Sequence, residues 1–361
     1  MIKETLLGVD GGLARITLNR PQVLNALSPA QYSELDRTLA VWAEDDAVRT
    51  VLVDATEGRA FCAGGDIKAV WQIARDGGDP SGAFRDEYRM DRRIHRFPKP
   101  YISIMDGIVM GGGAGLSVNG RYRVATERTL FAMPETAIGF FPDVGAAHFL
   151  SRCPGRLGLY LGLTGARLNA ADCLWAGLAT HFVPSSERAA LTAAIARAAA
   201  AADPDGAVAE TLAAFHRDPG ESALASHQTT IDRCFGHSAI RDVVSALVAE
   251  GTDWAWDTLE PIGDNSPTSL AVTFRYLSKA PALSFDEVIR TDFRLACHFL
   301  AGSDFHEGVR AQLVDKDKTP RWQPQSMGDL SAADVEAFFR PLENGDICFG
   351  EMDRGGTAGD G

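Results

Sequence analysis

Tyr101-Ile-Ser-Ile-Met-Asp-Gly-Ile-Val-Met-Gly-Gly-Gly-Ala-Gly-Leu116 reads as a short buried strand, Tyr101–Met105, running into a glycine-bearing loop over residues 107–115 and then into a helix. Pro98-Lys-Pro100 introduces the strand. The start of such a helix offers free backbone N–H groups and the positive end of a dipole, which favour negative charge. The same unit stands once before in the chain. The β-branched run at 48–53 predicts a buried strand, and the loop at 58–65 follows it. Strand, loop and helix repeated in this way predict an α/β fold whose loop ends converge on one site.

Upstream, Leu13–Leu18 follows the turn Asp10-Gly-Gly12 and alternates apolar with polar residues, which predicts a half-buried strand. Ser28-Pro29-Ala30-Gln31 predicts a helix start, with Ser28 as cap, Pro29 at the first position and Gln31 closing a capping box. Leu35, Leu39 and Trp42 would line its inner face. From about residue 155 the pattern turns helical, and 191–214 is alanine-rich with no strand signal. The sequence therefore divides into a strand-and-helix core over 1–200, a helical region over 201–345 and a tail over 346–361 with little to bury.

The 361 residues are 45% hydrophobic and can bury a full core. A net charge of −13 gives no support for a general affinity for nucleic acid or anionic membranes. No run of eighteen apolar residues occurs, and Met1-Ile-Lys-Glu-Thr5 lacks the order of a signal peptide, so a cytoplasmic location is expected. The six cysteines form no C-x-x-C pair and have no histidine at metal spacing, which predicts reduced, packed thiols and no metal.

Phe61-Cys-Ala-Gly-Gly-Asp-Ile67 places two glycines directly after an apolar strand, where N–H groups can point into a cleft. Together with Met110-Gly-Gly-Gly-Ala-Gly115, it offers donors from two loops, as an oxyanion requires. Either loop taken alone is better explained by tight turns and close packing. Glu135 and Asp143 follow in Phe131-Ala-Met-Pro-Glu-Thr-Ala-Ile-Gly-Phe-Phe-Pro-Asp-Val-Gly145 and supply two carboxyls for acid/base or nucleophilic work. Without the glycine loops they would read as a helix-start acid and a turn residue. His148, alone nearby, reads as a packed or surface histidine rather than a base.

Asn19-Arg-Pro-Gln-Val-Leu-Asn-Ala-Leu27, Ala60-Phe-Cys-Ala-Gly-Gly-Asp-Ile67 and Met110-Gly-Gly-Gly-Ala-Gly-Leu116 resemble, in order and spacing, the three N-terminal motifs of the crotonase superfamily. The resemblance implies a crotonase-like spiral of ββα units followed by a C-terminal helical region, acting on an acyl-CoA thioester. It places the oxyanion donors at the N–H groups of Gly65 and Gly112. It also sets Asn25, Ala26, Ala63, Gly64, Asp66, Ile67 and Gly111 along the substrate. The superfamily's hydratases carry a glutamate where this chain has Gly115, so the resemblance points away from hydration.

Glu135 with Asp143 is similar to the thioester-hydrolase branch of that superfamily. Ser266-Pro-Thr-Ser-Leu270, Asp304-Phe-His-Glu-Gly-Val-Arg-Ala311 and Asp315-Lys-Asp-Lys-Thr-Pro-Arg-Trp322 extend the likeness into the second half. Cleavage of a short 3-hydroxyacyl-CoA, 3-hydroxyisobutyryl-CoA foremost, is what this implies, with Glu87 as a further substrate-contacting carboxylate. On residues alone, Glu87 reads equally as a solvated surface acid among Arg85, Asp86, Arg89, Asp91 and Arg92. The stretch Gly145-Ala-Ala-His148 departs from the branch's pattern beside the acyl pocket. No cofactor is implied, because CoA enters with the substrate. Self-association through C-terminal helices, or a helical region covering its own site, both fit the resemblance.

Overall fold

In the computed structural model, which describes residues 3–349, the alternating stretch forms strand β2 (Leu13–Leu18). Antiparallel to it runs β1 (Thr5–Asp10), with Leu13 opposite Asp10 and Leu18 opposite Thr5. From β2 the sheet continues in parallel through β3 (Thr50–Ala55), β5 (Tyr101–Met105), β7 (Tyr122–Ala125) and β9 (His181–Phe182). A second, parallel sheet holds β4 (Ala60–Cys62), β6 (Ile108–Met110) and β8 (Leu130–Ala132).

Each unit thus gives a strand to the first sheet, a short strand to the second, and then a helical turn. The unit β3-β4 leads into α2 (Ile67–Arg75) and β5-β6 into α4 (Gly112–Val118). β7-β8 leads into the single-turn helix Glu135–Ile138. The ββα spiral is present, and the segments 58–65 and 107–115, expected as loops, each contain one of the short strands. The β-branched run is shifted as well. Val48 is buried but donates to Asp45 O at 2.9 Å in the turn leaving α1, so pairing starts at Thr50.

α1 (Pro29–Glu44) starts as its sequence predicts, on a Ser28–Gln31 capping box, and buries Leu35, Leu39 and Trp42. The remaining helices of the first half are α3 (Ser81–His95), α5 (Ala146–Leu150), α6 (Leu157–Thr164), α7 (Ala170–Trp175) and α8 (Arg188–Ala199). After them come α9 (Pro204–Phe215), α10 (Ala223–Cys234), α11 (Ile240–Glu250), α12 (Asp253–Asp264) and α13 (Pro267–Lys279). α14 (Phe285–Ala301), α15 (Ser303–Val309) and α16 (Ala332–Ala337) complete the set. The alanine-rich stretch is α8 and α9, and only the two-residue β9 interrupts the helical half, too short for a pattern to reveal.

Leu52, Ile102, Ile104 and Val124 on one face of the large sheet pack against Leu191 and Ile195 of α8 and Val208 and Leu212 of α9. The opposite core runs from Ala14 through α1, α3 and α4 to α14, α15 and Ile347. The helical region past residue 200 therefore shares its core with the sheets. Ile347 is buried and Asp346 pairs with Arg294, so packing extends beyond the predicted limit of 345. The expected tail at 350–361 lies outside the described residues.

The helical region also grips the turn that carries Glu135. Asn265 Nδ2 donates to Thr136 Oγ1 at 2.8 Å, and Ser266 N to Thr136 O at 3.3 Å. Gly308 of α15 lies so close to the Ile138 backbone that no Cβ would fit. Cys62, Cys153, Cys173 and Cys234 are buried free thiols. Among the described residues no helix is long and apolar enough to cross a membrane.

Candidate active site

Three segments of the first half are clamped together by backbone bonds. Leu27 N donates to Gly64 O at 2.9 Å, Ala63 N to Leu24 O at 3.0 Å and Asp66 N to Leu27 O at 2.8 Å. The buried Asn25 side chain accepts from Arg20 N at 2.8 Å and donates to Ala60 O at 2.9 Å. Asp66 caps α2 through Ala69 N and pairs with Arg20 at 3.1 Å, and Arg20 also donates to Ala26 O. Asn25, Ala26, Ala63, Gly64 and Asp66 are thus brought together as expected. The Asn25 and Asp66 side chains are spent on holding the clamp, so any substrate contact there falls to the backbone.

The clamp sets the first glycine loop against the second. Gly64, at φ +110°, and Gly111, at φ +48°, adopt backbone that L side chains rarely reach. A Cβ at Gly64 would lie 3.6 Å from Gly112 N, and one at Gly112 only 3.3 Å from Gly65 N. The two N–H groups therefore share one small space. Gly112 opens α4 and has no acceptor within its helix, while Gly65 N–H meets no acceptor among the described residues. Ile67 borders Gly65, with its Cδ1 3.6 Å from the Cβ position there.

Carboxyls surround that space. Glu135 Oε1 lies 3.1 Å from where a Cβ of Gly111 would be, and Oε2 is buried with no partner among the described residues. Glu87 reaches over Gly112 beside the Tyr32 hydroxyl. Asp143 accepts a hydrogen bond from Tyr88 Oη at 2.7 Å. Glu87 is 5% exposed, which removes the surface reading. Burial raises the Glu135 carboxyl well above the ordinary glutamate range, and the charge of Asp143 adds to it. Burial, then Asp143, does the same for Glu87. For Asp143, burial outweighs the Tyr88 hydroxyl and lifts the carboxyl to about 7.

Tyr32, Tyr88 and Asp91 were not legible as site residues, yet a signal for two of them existed. Phe84, Glu87, Tyr88, Asp91 and Ile94 recur at helical spacing, and all five are buried along one face of α3. Glu87 and Asp91 sit on an apolar stripe. His148 packs edge-on against the stacked rings of His95, at 5.0 Å, and Phe285, at 5.1 Å; burial, with Arg152 and His95 nearby, holds it down to about 4. It belongs to the packing, as expected.

Gly115 is enclosed. A Cβ there would lie 2.6 Å from Asp91 Oδ1 and 2.8 Å from Val144 Cβ. The volume a side chain would need is already filled from α3 and from the segment after Asp143. Gly115→Ala is expected to cost about 1–3 kcal/mol through overpacking, read by denaturant unfolding. Unchanged stability would mean that the notch is roomier than the geometry requires.

Buried carboxyls around two converging N–H groups suit chemistry at a carbonyl. The family model for enoyl-CoA hydratase/isomerase matches residues 13–339. The chain belongs to the enoyl-CoA hydratase/isomerase family. Its fold is the crotonase fold, with a C-terminal helical region. Within the family, it is 41% identical over 350 residues to a mitochondrial 3-hydroxyisobutyryl-CoA hydrolase of Gallus gallus, covering 95% of this chain and 90% of the relative. It is 43% identical over 354 residues to 3-hydroxyisobutyryl-CoA hydrolase 1 of Arabidopsis thaliana, covering 95% and 93%. A carnitinyl-CoA dehydratase from Mycobacterium thermoresistibile superposes with a TM-score of 0.89 at 40% identity, covering 95% of this chain and 98% of that one. The enoyl-CoA hydratase from Rhodobacter sphaeroides gives 0.89 at 36%, covering 96% and 100%. The sequence is thus similar to proteins named as hydrolases, and the backbone to structures titled as a dehydratase and a hydratase.

Proposed function

We propose that the protein hydrolyses a short 3-hydroxyacyl-CoA thioester, 3-hydroxyisobutyryl-CoA foremost, to the free hydroxy acid and CoA. The observation that carries this reading is Glu135 beside Gly111, with the charge of Asp143 acting on it, while Gly115 offers no carboxylate and no room for one. Relatives named for the same hydrolysis, at about 40% identity over nearly the whole chain, support it.

In this account the thioester oxygen sits between the Gly65 and Gly112 N–H groups. They stabilise the charge that develops as the carbon becomes tetrahedral, each contributing roughly 3 kcal/mol. Glu135 drives the attack, either on the carbon itself or by taking a proton from the attacking water. Asp143, protonated below about 7, gives its proton to the departing thiolate. Glu87 holds the substrate's 3-hydroxyl. If water attacks, the acid product returns a proton to Asp143 and Glu135 releases its own to solvent; if Glu135 attacks, water hydrolyses the anhydride and the acid formed returns a proton to Asp143, so on either route one water is consumed and an acid and a thiol leave. No metal or redox group enters the balance.

The substrate class is tested by removing the hydroxyl. Isobutyryl-CoA should be cleaved with kcat/KM at least about 100-fold below that of 3-hydroxyisobutyryl-CoA, because a site built around a hydroxyl loses its partner. In Glu87→Gln the gap between the two substrates should narrow. Equal turnover of both by the native protein would remove the hydroxyacyl assignment while leaving thioester cleavage standing.

A further inference from the structure

Asp91 lies one helical turn beyond Glu87 on α3, fully buried, with neither carboxyl oxygen hydrogen-bonded to any described residue. An unpaired buried polar group costs roughly 1–3 kcal/mol and calls for a reason. Its position is unusual in the site. Asp91 Oδ1 fills the notch over Gly115 of α4, 2.6 Å from where a Cβ would be.

The groups around Asp91 all bear on its charge in one direction. On its own helix the facing carboxyl is Glu87. From the segment after the Glu135 turn comes Asp143, and from α14 comes Asp292, which accepts from Tyr276 Oη of α13 at 2.7 Å and from Gly145 N at 2.8 Å. Tyr101 of β5 feels Asp91, but its hydroxyl is committed to Leu116 O at 2.9 Å. α4 presents only Gly115. No cation is among the charges that act on it. Glu87 has the Tyr32 hydroxyl beside it and Asp143 has the Tyr88 hydroxyl, whereas Asp91 has no donor at all. Of the three clustered carboxyls it is the one least able to carry a charge.

We propose that Asp91 is a positioning residue that stays protonated in the Gly115 notch, filling it with a neutral group and leaving the negative charge of the cluster to Glu135. The site then has no ionised carboxylate on the α4 side with which to activate water for addition to a double bond. Burial, followed by the charges of Glu87, Asp143 and Asp292, holds its proton well beyond the ordinary aspartate range. The role in turnover rests on the thioester-cleavage reading; the protonation itself does not.

The test is infrared spectroscopy of the full-length protein combined with pH profiles of turnover. The native protein should show protonated-carboxyl C=O stretches persisting well above the pH at which an ordinary aspartate ionises, and Asp91→Asn should lack one component of them. Absence of such a band, or no loss of its intensity in Asp91→Asn, would overturn the proposal. If Asp91→Asn does not fold, the band is sought in Asp143→Asn and Glu135→Gln, where it should remain; its loss from either would assign the proton elsewhere. In turnover of 3-hydroxyisobutyryl-CoA, Asp91→Asn, which keeps a neutral group in the notch, should leave the fall of kcat through about pH 7 where it lies in the native protein. A loss of more than about 100-fold at neutral pH would mean that Asp91 works ionised, against the proposal. No thioester cleavage even in the native protein, with the infrared band present, would sink the functional reading and leave the protonated Asp91 in place.

Discussion

Glu135→Gln should lose thiol release from 3-hydroxyisobutyryl-CoA by about a thousandfold or more while still binding the substrate. The reasoning is local. Glu135 is the carboxyl that lies over Gly111, next to the paired N–H groups of Gly65 and Gly112, and its Oε2 has no structural partner to lose. A glutamine keeps the shape and the buried contacts but can neither attack a carbonyl nor take a proton. Stability should change little, because the neutral amide replaces a carboxyl that burial already disfavours as an anion. Stopped-flow thiol detection, with binding measured separately by calorimetry, separates the two effects. Turnover within tenfold of the native protein would remove Glu135 from the chemistry.

Asp143→Asn is expected to lower kcat by about 10²–10⁴-fold and to change the shape of its pH profile. Asp143 loses its proton at about 7, so as the acid for the leaving thiolate it should be active below that value and inactive above it. The native profile of kcat should therefore fall as pH rises through about 7, and the residual activity of Asp143→Asn should lack that fall. Tyr88→Phe provides a graded check on the same limb. Removing the Tyr88 hydroxyl takes away the larger of the two hydrogen bonds that hold the pKa of Asp143 down, so the limb should move to higher pH. A native profile that rises through 7 would make Asp143 a base and reverse its role.

Much of this site was legible before any coordinates, for particular physical reasons. Glycine runs after apolar strands mark places where backbone must approach backbone, and Gly64 and Gly111 do occupy conformations that a side chain would forbid. The Ser28 capping box is a local signal that survives into the fold unchanged, whereas β2, expected to be half-buried, buries every residue but Arg15. β4, β6 and β9, at three, three and two residues, are too short for any periodicity to show, and they exist because neighbouring strands complete their hydrogen bonds. Glu87 and Asp91 were obscured by the charged residues around them, although their spacing with Phe84, Tyr88 and Ile94 marks a buried face. What no local pattern could show is that Asp91 fills the gap at Gly115, since that contact joins α3 to α4 in space.

The reaction itself is decided by one parallel assay of the purified protein. Free thiol is followed with 3-hydroxyisobutyryl-CoA, and loss of the conjugated double bond is followed with crotonyl-CoA. With Gly115 bare and its space closed by Asp91 and Val144, thiol should be released from the first while the second keeps its double bond. Hydration of crotonyl-CoA without thiol release from the hydroxyacyl thioester would contradict the account at its centre.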